Sequence, residues 1–221
     1  MKKRKIIKKS KIKAVIFDVG GVLALEKYRK NPLKGHRTKG VHEYIAKKLK
    51  ISLDQWFDSI DSTYADAIEG KITENRFVSV LAKNNKVTSK KISKLYKRAY
   101  KKHFKINKEL YKFAFKLKKR GYKIALLSDQ HYLSKKALMP QQYIKKFNVS
   151  VVSCDVGIRK PDSKIYKLIL KKLRIPAKNC LFIDNQAWNI KPAKKLGLQT
   201  VLFKNNEQTI KEIRKLGVII Q

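Results

Sequence analysis

Lys13-Ala14-Val15-Ile16-Phe17-Asp18-Val19-Gly20-Gly21-Val22-Leu23 is the stretch on which the reading of this chain turns. An apolar run from Ala14 to Phe17 delivers one carboxylate, Asp18, and then breaks at two glycines. A short β-branched and aromatic run closed by a turn signal reads as a strand buried on both faces, the kind found in parallel sheets. Ligands of open parallel sheets bind beyond the carboxyl ends of the strands, which is where Asp18 falls. An acid at that place serves as a nucleophile, a metal ligand or a helix cap, and a solvated turn residue is the plain alternative.

Working outward, the chain from 107 onward alternates strand and helix. A helical period over 109–120 ends at Gly121 and gives way to an apolar strand over 123–127. A helix over 134–147 precedes a strand over 149–153, and a helix capped by Asp162 or Ser163 runs to Leu173, ahead of a strand over 180–183. A helix over 189–196, with Pro192 in its first turn, leads to a strand over 200–203, and 207–216 is a last helix. That alternation predicts an α/β fold with a three-layer parallel sheet and right-handed crossovers. Between the first strand and the rest the periodicity is helical and no strand is expected. After a turn-rich passage at 26–40, helical spacing covers 41–49. Ser52 caps a second helix with Trp56, Ile60 and Tyr64 on one face, Thr73 caps a third, and Ser89 or Ser93 opens a fourth. The expected organisation is a basic arm at 1–12, a core at 13–27 and 107–221, and a helical cap at 28–106. Inserted after the first strand, such a cap sits over the ligand end of the sheet, where a lid belongs.

Composition narrows the class. Of 221 residues 43% are hydrophobic, enough for a substantial core, while 55 Lys and Arg face only 16 Asp and Glu, a net charge of +39. Such a field attracts nucleic acid or an anionic surface without specificity and steers small anions. The excess is spread along every predicted helix, and arginine, the usual reader of base edges, is scarce. That is the pattern of a solvated surface. Cys154 and Cys180 lack metal-site spacing and are expected as buried thiols of a reducing compartment. No apolar run reaches the roughly eighteen residues of a membrane span. The stretch 1–13 lacks the apolar segment of a signal peptide. The expectation is a cytoplasmic protein without membrane insertion.

Four places at or just beyond expected strand ends carry polar residues: Asp18, Ser128, Lys160, and the pair Asp184-Asn185. Each type has a use in phosphoryl chemistry. A carboxylate attacks phosphorus, a hydroxyl holds phosphoryl oxygens, a lysine neutralises their charge, and further oxygen donors hold Mg²⁺. In order and placement these motifs resemble those of the haloacid dehalogenase-like hydrolases. That superfamily is dominated by Mg²⁺-dependent phosphatases that pass through an aspartyl-phosphate on a Rossmann-like core. The opening Phe17-Asp18-Val19-Gly20-Gly21-Val22-Leu23 resembles the subgroup that holds the N-terminal phosphatase domain of soluble epoxide hydrolases and bacterial glucose-1-phosphate phosphatases. So do Gly157-Ile158-Arg159-Lys160-Pro161-Asp162 and Leu181-Phe182-Ile183-Asp184-Asn185. The resemblance implies a small phosphorylated substrate, with Asp18 as nucleophile and Mg²⁺ ligand, Ser128 as phosphoryl donor and Lys160 as the neutralising cation. Asp184 and Asn185 would complete the Mg²⁺ site, with Asn189 behind them. Gly20, Gly21 and Asp129 would lie against the substrate. Tyr166 and Trp188 read as packing residues, Asp162 as a helix cap, and His131 as either a pocket wall or an inert helix-entry residue.

Three positions depart from the resembled pattern. The residue two after the nucleophile is commonly an Asp that protonates the leaving group, and here it is Gly20; Ser128 is followed by Asp129 instead of Asn; and the last motif reads Asp184-Asn185 instead of Asp-Asp. Two competing readings follow. One is a catalytically weak binding or scaffold protein on the same fold, with nucleic acid as its partner. The other is a metal-independent 2-haloacid dehalogenase, which Gln186-Ala187-Trp188-Asn189 resembles faintly.

Overall fold

A computed structural model describes residues 11–27 and 39–218. Nearly all of the expected basic arm, and most of the turn-rich passage, lie outside the described residues. The chain opens with β1 (Ala14–Phe17) and β2 (Ala24–Glu26), then runs through α1 (Lys39–Leu49), α2 (Leu53–Ile68), α3 (Glu74–Asn84) and α4 (Ser89–His103). There follow β3 (Phe104–Ile106), α5 (Lys108–Lys119), β4 (Lys123–Ser128), α6 (Tyr132–Leu138), α7 (Gln141–Ile144), β5 (Val149–Val152) and α8 (Ser153–Val156). The rest is α9 (Ser163–Leu173), β6 (Cys180–Asp184), α10 (Ala187–Lys195), β7 (Gln199–Leu202) and α11 (Asn206–Lys215).

The main sheet has the order β5-β4-β1-β6-β7, every pair parallel, so β1 lies at its centre. The apolar runs of the sequence are unbroken because both faces are covered. Val15, Phe17, Ile124, Leu126, Leu181 and Ile183 belong to one buried cluster with residues of α5 and α11. Their neighbours Ala14, Ile16, Ala125, Leu127, Cys180 and Phe182 belong to a second, with residues of α9 and α10. Alternate side chains of a strand point to opposite faces, so three layers result, as the strand–helix alternation predicts. The register matters more for chemistry. Phe17 lies level with Leu126 on one side and Ile183 on the other. The residues that follow therefore place Asp18, Ser128 and Asp184 at one edge of the sheet.

Helices α1–α4 bury their own aromatic face, with Trp56, Phe77 and Tyr96 fully enclosed, in a cluster continuous with the Phe17 face of the sheet. Trp56 Nε1 donates to His42 Nδ1 at 2.7 Å, which satisfies a polar handle inside that cluster. The end of α2 is seated on the core at Gly70 (φ +65°), where a Cβ would overlap the Cys154 carbonyl.

The structure departs from the sequence reading at several elements. The stretch 28–106 was expected to hold no strand, yet β3 pairs antiparallel with β2, Ala24 opposite Ile106 and Glu26 opposite Phe104. Pairing across the entry and exit of the insertion is a tertiary contact, which a three-residue run cannot announce. The expected single helix over 134–147 is split into α6 and α7 at Met139-Pro140, because proline cannot donate a backbone hydrogen bond and crowds the preceding turn. Helix α4 opens at Ser89, as one of the two expected starts had it, and Thr88 caps it, its side chain accepting from Lys91 N. Helix α10 begins two residues before Asn189, so Pro192 lies inside it instead of in its first turn. Helix α8 directly follows β5 and was not expected.

Candidate active site

Asp18 leaves β1 with its N–H donating to Ile183 O at 2.9 Å, so the ladder to β6 holds its backbone. The residue is 1% exposed. Lys160 Nζ lies 3.0 Å from Asp18 Oδ1 and 2.7 Å from Asp184 Oδ2. One ammonium therefore bridges two carboxylates from adjacent strands, with no side chain in the triad more than 2% exposed. Burying charges is costly unless they are paired and hydrogen-bonded, and Asp184 meets that condition fully. Its Oδ1 accepts from Gln186 N at 2.7 Å, and its Oδ2 also accepts from Asn189 Nδ2 at 3.0 Å. Tyr166 OH donates to Asn189 O at 2.9 Å, so that tyrosine braces the site from the core, as a packing residue with a polar tip.

Ser128 ends β4 fully buried, and Gln130 Nε2 donates to its Oγ at 3.1 Å. That bond leaves the Ser128 hydroxyl proton available for another acceptor. Gln130 is itself fixed by Ser153, which accepts from Gln130 N at 3.0 Å and donates to Gln130 O at 3.3 Å. Asp129 accepts from Lys160 N at 3.1 Å, tying the loop after β4 to the loop that carries the lysine. Asp162 caps α9, accepting from Lys164 N at 2.8 Å.

The two glycines have different reasons. Gly21 takes φ +81°, and a Cβ there would stand 2.8 Å from Asn185 Cγ, so only glycine lets the Asn185 amide lie across the turn. At Gly20 a Cβ would meet only Gln130 Nε2, at 3.7 Å, an ordinary contact. A side chain would fit at position 20, and the chain does without one.

Gly20, Asp129, Gln130 and His131 line a cavity of about 90 Å³, roofed by Tyr64, Ile68, Tyr100 and Phe104 from the helical insertion and its exit strand. His131 is enclosed: its ring lies 5.2–6.2 Å from those of Phe77, Tyr96, Tyr64 and Tyr100. Its Nε2 is 3.2 Å from Tyr100 OH, and its Nδ1 accepts from Ser134 N at 3.4 Å, capping α6. Burial lowers its pKa to about 3, which makes it a neutral wall of the cavity. Trp188, expected to pack, is instead 60% exposed beside the Asp184 loop. The two thiols are buried, and burial pushes Cys154 up to about 11 and Cys180 up to about 12. Gln130, Ser153 and the aromatic roof were not singled out from sequence. Gln130 lies two residues after Ser128, and Tyr64 is on the predicted apolar face, but only the fold brings them to Gly20.

Mg²⁺ prefers oxygen ligands and keeps several waters of its own. Among the described residues no group of three His, Cys, Asp or Glu could hold a metal. The oxygens present still suit a hard cation: Asn185 Oδ1 is buried with no hydrogen-bond partner, the kind of orphaned acceptor that a cation satisfies. Asp18 and Asn185 are the fitting donors, while Asp184 is occupied by Lys160, Gln186 and Asn189.

A family model described as haloacid dehalogenase-like hydrolase matches residues 12–197. Bifunctional epoxide hydrolase 2 of Sus scrofa is 30% identical over 90 residues, covering 41% of this chain and 16% of that protein. The chain thus matches only a small part of such relatives. Among solved structures, a HAD-like family hydrolase from Porphyromonas gingivalis superposes with a TM-score of 0.73 at 20% identity, covering 94% of this chain and 98% of the other. A HAD family enzyme from Bacteroides thetaiotaomicron, in complex with magnesium and inorganic phosphate, gives a TM-score of 0.67 at 22% identity, covering 88% and 96%.

Proposed function

Since the chain belongs to the haloacid dehalogenase-like hydrolases, we propose that it is a phosphatase that hydrolyses a small phosphomonoester through a phosphoryl group carried on Asp18. The observation that carries this reading is the buried triad Asp18–Lys160–Asp184, with Ser128 at the same edge of the sheet. An ammonium 3.0 Å from the attacking carboxylate stands where negative charge builds up on transferring oxygens, and Ser128 has a proton to donate there. Asp18 attacks phosphorus, the P–O bond to the leaving group breaks, and the leaving oxygen takes a proton from water. Water then cleaves the acyl phosphate, releasing inorganic phosphate and restoring Asp18.

Bound Mg²⁺, held by Asp18 and Asn185, would supply charge neutralisation and orientation of the phosphoryl group. The remaining work falls to the chain. Lys160 is held by Asp184, and Asp184 by Gln186 and Asn189, so the ammonium is fixed before substrate arrives. Gln130 orients the Ser128 hydroxyl. Gly20 offers no acid for the leaving group, so the reaction runs without about 10²–10⁴-fold of acid–base assistance. Water supplies the proton to an alkoxide leaving group, and esters whose leaving groups need none turn over faster. With Asp18 at 1% exposure, substrate enters when the cap, helices α1–α4, moves on the paired strands β2 and β3.

The test is a screen of phosphomonoesters with Mg²⁺, with Asp18→Asn as the control. Phosphate release that disappears in Asp18→Asn supports the reading. Metal-independent halide release from a 2-haloacid, or no turnover with salt-sensitive binding to nucleic acid, would replace it.

A further inference from the structure

Behind the roof of the small cavity lies a larger one, about 610 Å³, between α4, β3 and α6. The two share Tyr100, Phe104 and Leu138 in their linings, so these residues border both. The inner cavity begins at Gly20 and Asp129, beside the proposed phosphoryl site. The outer one is apolar on its floor, with Ile106 and Leu133, and ringed by Lys97, Lys101, Lys105 and Lys136. Lys97 and Lys101 stand four residues apart on α4 and so project to one side, and Lys105, on β3, lines the same cavity. Lys136 pairs with Glu74 at 2.6 Å, whereas Lys97, Lys101 and Lys105 form no ion pair with any described residue. Three unneutralised ammonium groups facing one cavity disfavour one another, and an anion placed among them relieves that cost.

Resting on the phosphatase reading, we propose that the substrate is a phosphomonoester whose leaving group is an apolar chain or ring ending in a second anionic group. The phosphoryl group lies at Asp18, the apolar body passes Tyr100, Phe104 and Leu138, and the distal anion sits among Lys97, Lys101 and Lys105. Tyr100, Phe104 and Leu138 are all nearly buried, so a ligand reaching the outer cavity parts them, and short esters occupy the inner cavity alone.

The experiment compares α,ω-alkanediol bisphosphates with monophosphates of the same alkanols, from two carbons to ten, in a low-salt buffer with Mg²⁺. Three surface contacts of ordinary strength give a ratio of kcat/KM, bisphosphate over monophosphate, of about tenfold. The preference is expected only above the chain length that spans the neck, and it falls to about one in Lys97→Glu/Lys101→Glu. The neutral pair Lys97→Ser/Lys101→Ser gives an intermediate ratio. Reversing Lys171 and Lys172 on α9, an equal change of net charge, leaves the tenfold ratio in place. A preference that is equal at all lengths, or that falls as much with the α9 lysines, reports the field of the whole protein and overturns the proposal. Turnover of monophosphates with no preference for bisphosphates overturns it while leaving the phosphatase reading intact. No turnover of any phosphomonoester overturns both.

Discussion

Lys160→Met isolates the ammonium that bridges Asp18 and Asp184. The side chain of Lys160 is 1% exposed and its Nζ touches Asp18 and Asp184 at 3.0 and 2.7 Å. Methionine keeps the length of the aliphatic stem but leaves two buried carboxylates facing each other without a cation. Removing one partner of a buried ion pair costs about 3–5 kcal/mol, because the remaining charge is left uncompensated. At this degree of burial solvent does not screen the loss. For a chain of this size the cost lowers the melting temperature by roughly 10 °C. The assay is thermal unfolding followed by circular dichroism at pH 7.5 with a chelator present, so that no divalent ion stands in for the ammonium. Two further results follow from the same cause. Two carboxylates crowded in one site raise the pKa of one of them, so the deficit against the parent shrinks as pH falls toward about 5. The double variant Lys160→Met/Asp184→Asn, which removes the second charge, recovers on the order of 1–2 kcal/mol of the loss. A Lys160→Met protein that melts within about 2 °C of the parent at pH 7.5, or a double variant less stable than the single, would refute the triad as a buried, mutually compensated set.

Gly21→Ala puts a methyl group against the Asn185 amide at a positive φ. It is expected to cost about 1–3 kcal/mol and to raise the Mg²⁺ concentration for half-maximal binding in calorimetry; unchanged Mg²⁺ binding would remove Asn185 from the proposed metal site. Gly20→Asp, by contrast, has room beside Gln130 Nε2 at 3.7 Å, and it should raise kcat on esters with poor leaving groups by tenfold or more. Steady-state kinetics on alkyl and aryl phosphates decide it, and an equal gain on both would rule out leaving-group protonation. His42 and His131 are held neutral by burial, near 4 and near 3, against about 6.5 in the unfolded chain. With folded values below the unfolded one, the stability they contribute is complete above about pH 6.5 and is lost as pH falls through the folded values, by up to about 1.4 kcal/mol per pH unit per histidine. Denaturant unfolding of His131→Phe between pH 7 and 4 should show a shallower acid slope than the parent, and an identical slope would mean that His131 is not held neutral.

The parts of the fold that sequence reveals are those in which one local pattern carries the whole tertiary fact. Strands β1, β4 and β6 are buried on both faces, so they appear as short unbroken apolar runs, and the register that aligns their ends brings Asp18, Ser128 and Asp184 together from three separate motifs. The pattern fails where the partner is distant or the segment short. Strands β2 and β3 are three residues each and exist because the two ends of the insertion meet. Helix α7 exists because Pro140 ends the helix before it. Within the site the same division holds. The motif that carries Lys160 is written in the chain, but β5 ends at Val152 and α8 intervenes before the lysine, so its bridging of Asp18 and Asp184 depends on a loop packed against the loop after β4 through Asp129. Gly20 reads from sequence as a missing acid and Gly21 as a turn residue. The structure gives them opposite physical reasons: Gly21 is required, because Asn185 fills the space where a Cβ would go, whereas Gly20 is spacious and unstrained. An unforced glycine beside the proposed nucleophile, opening on a cavity lined also by Asp129, Gln130 and neutral His131, indicates that the lack of an acid at that position is not dictated by the folding of the turn.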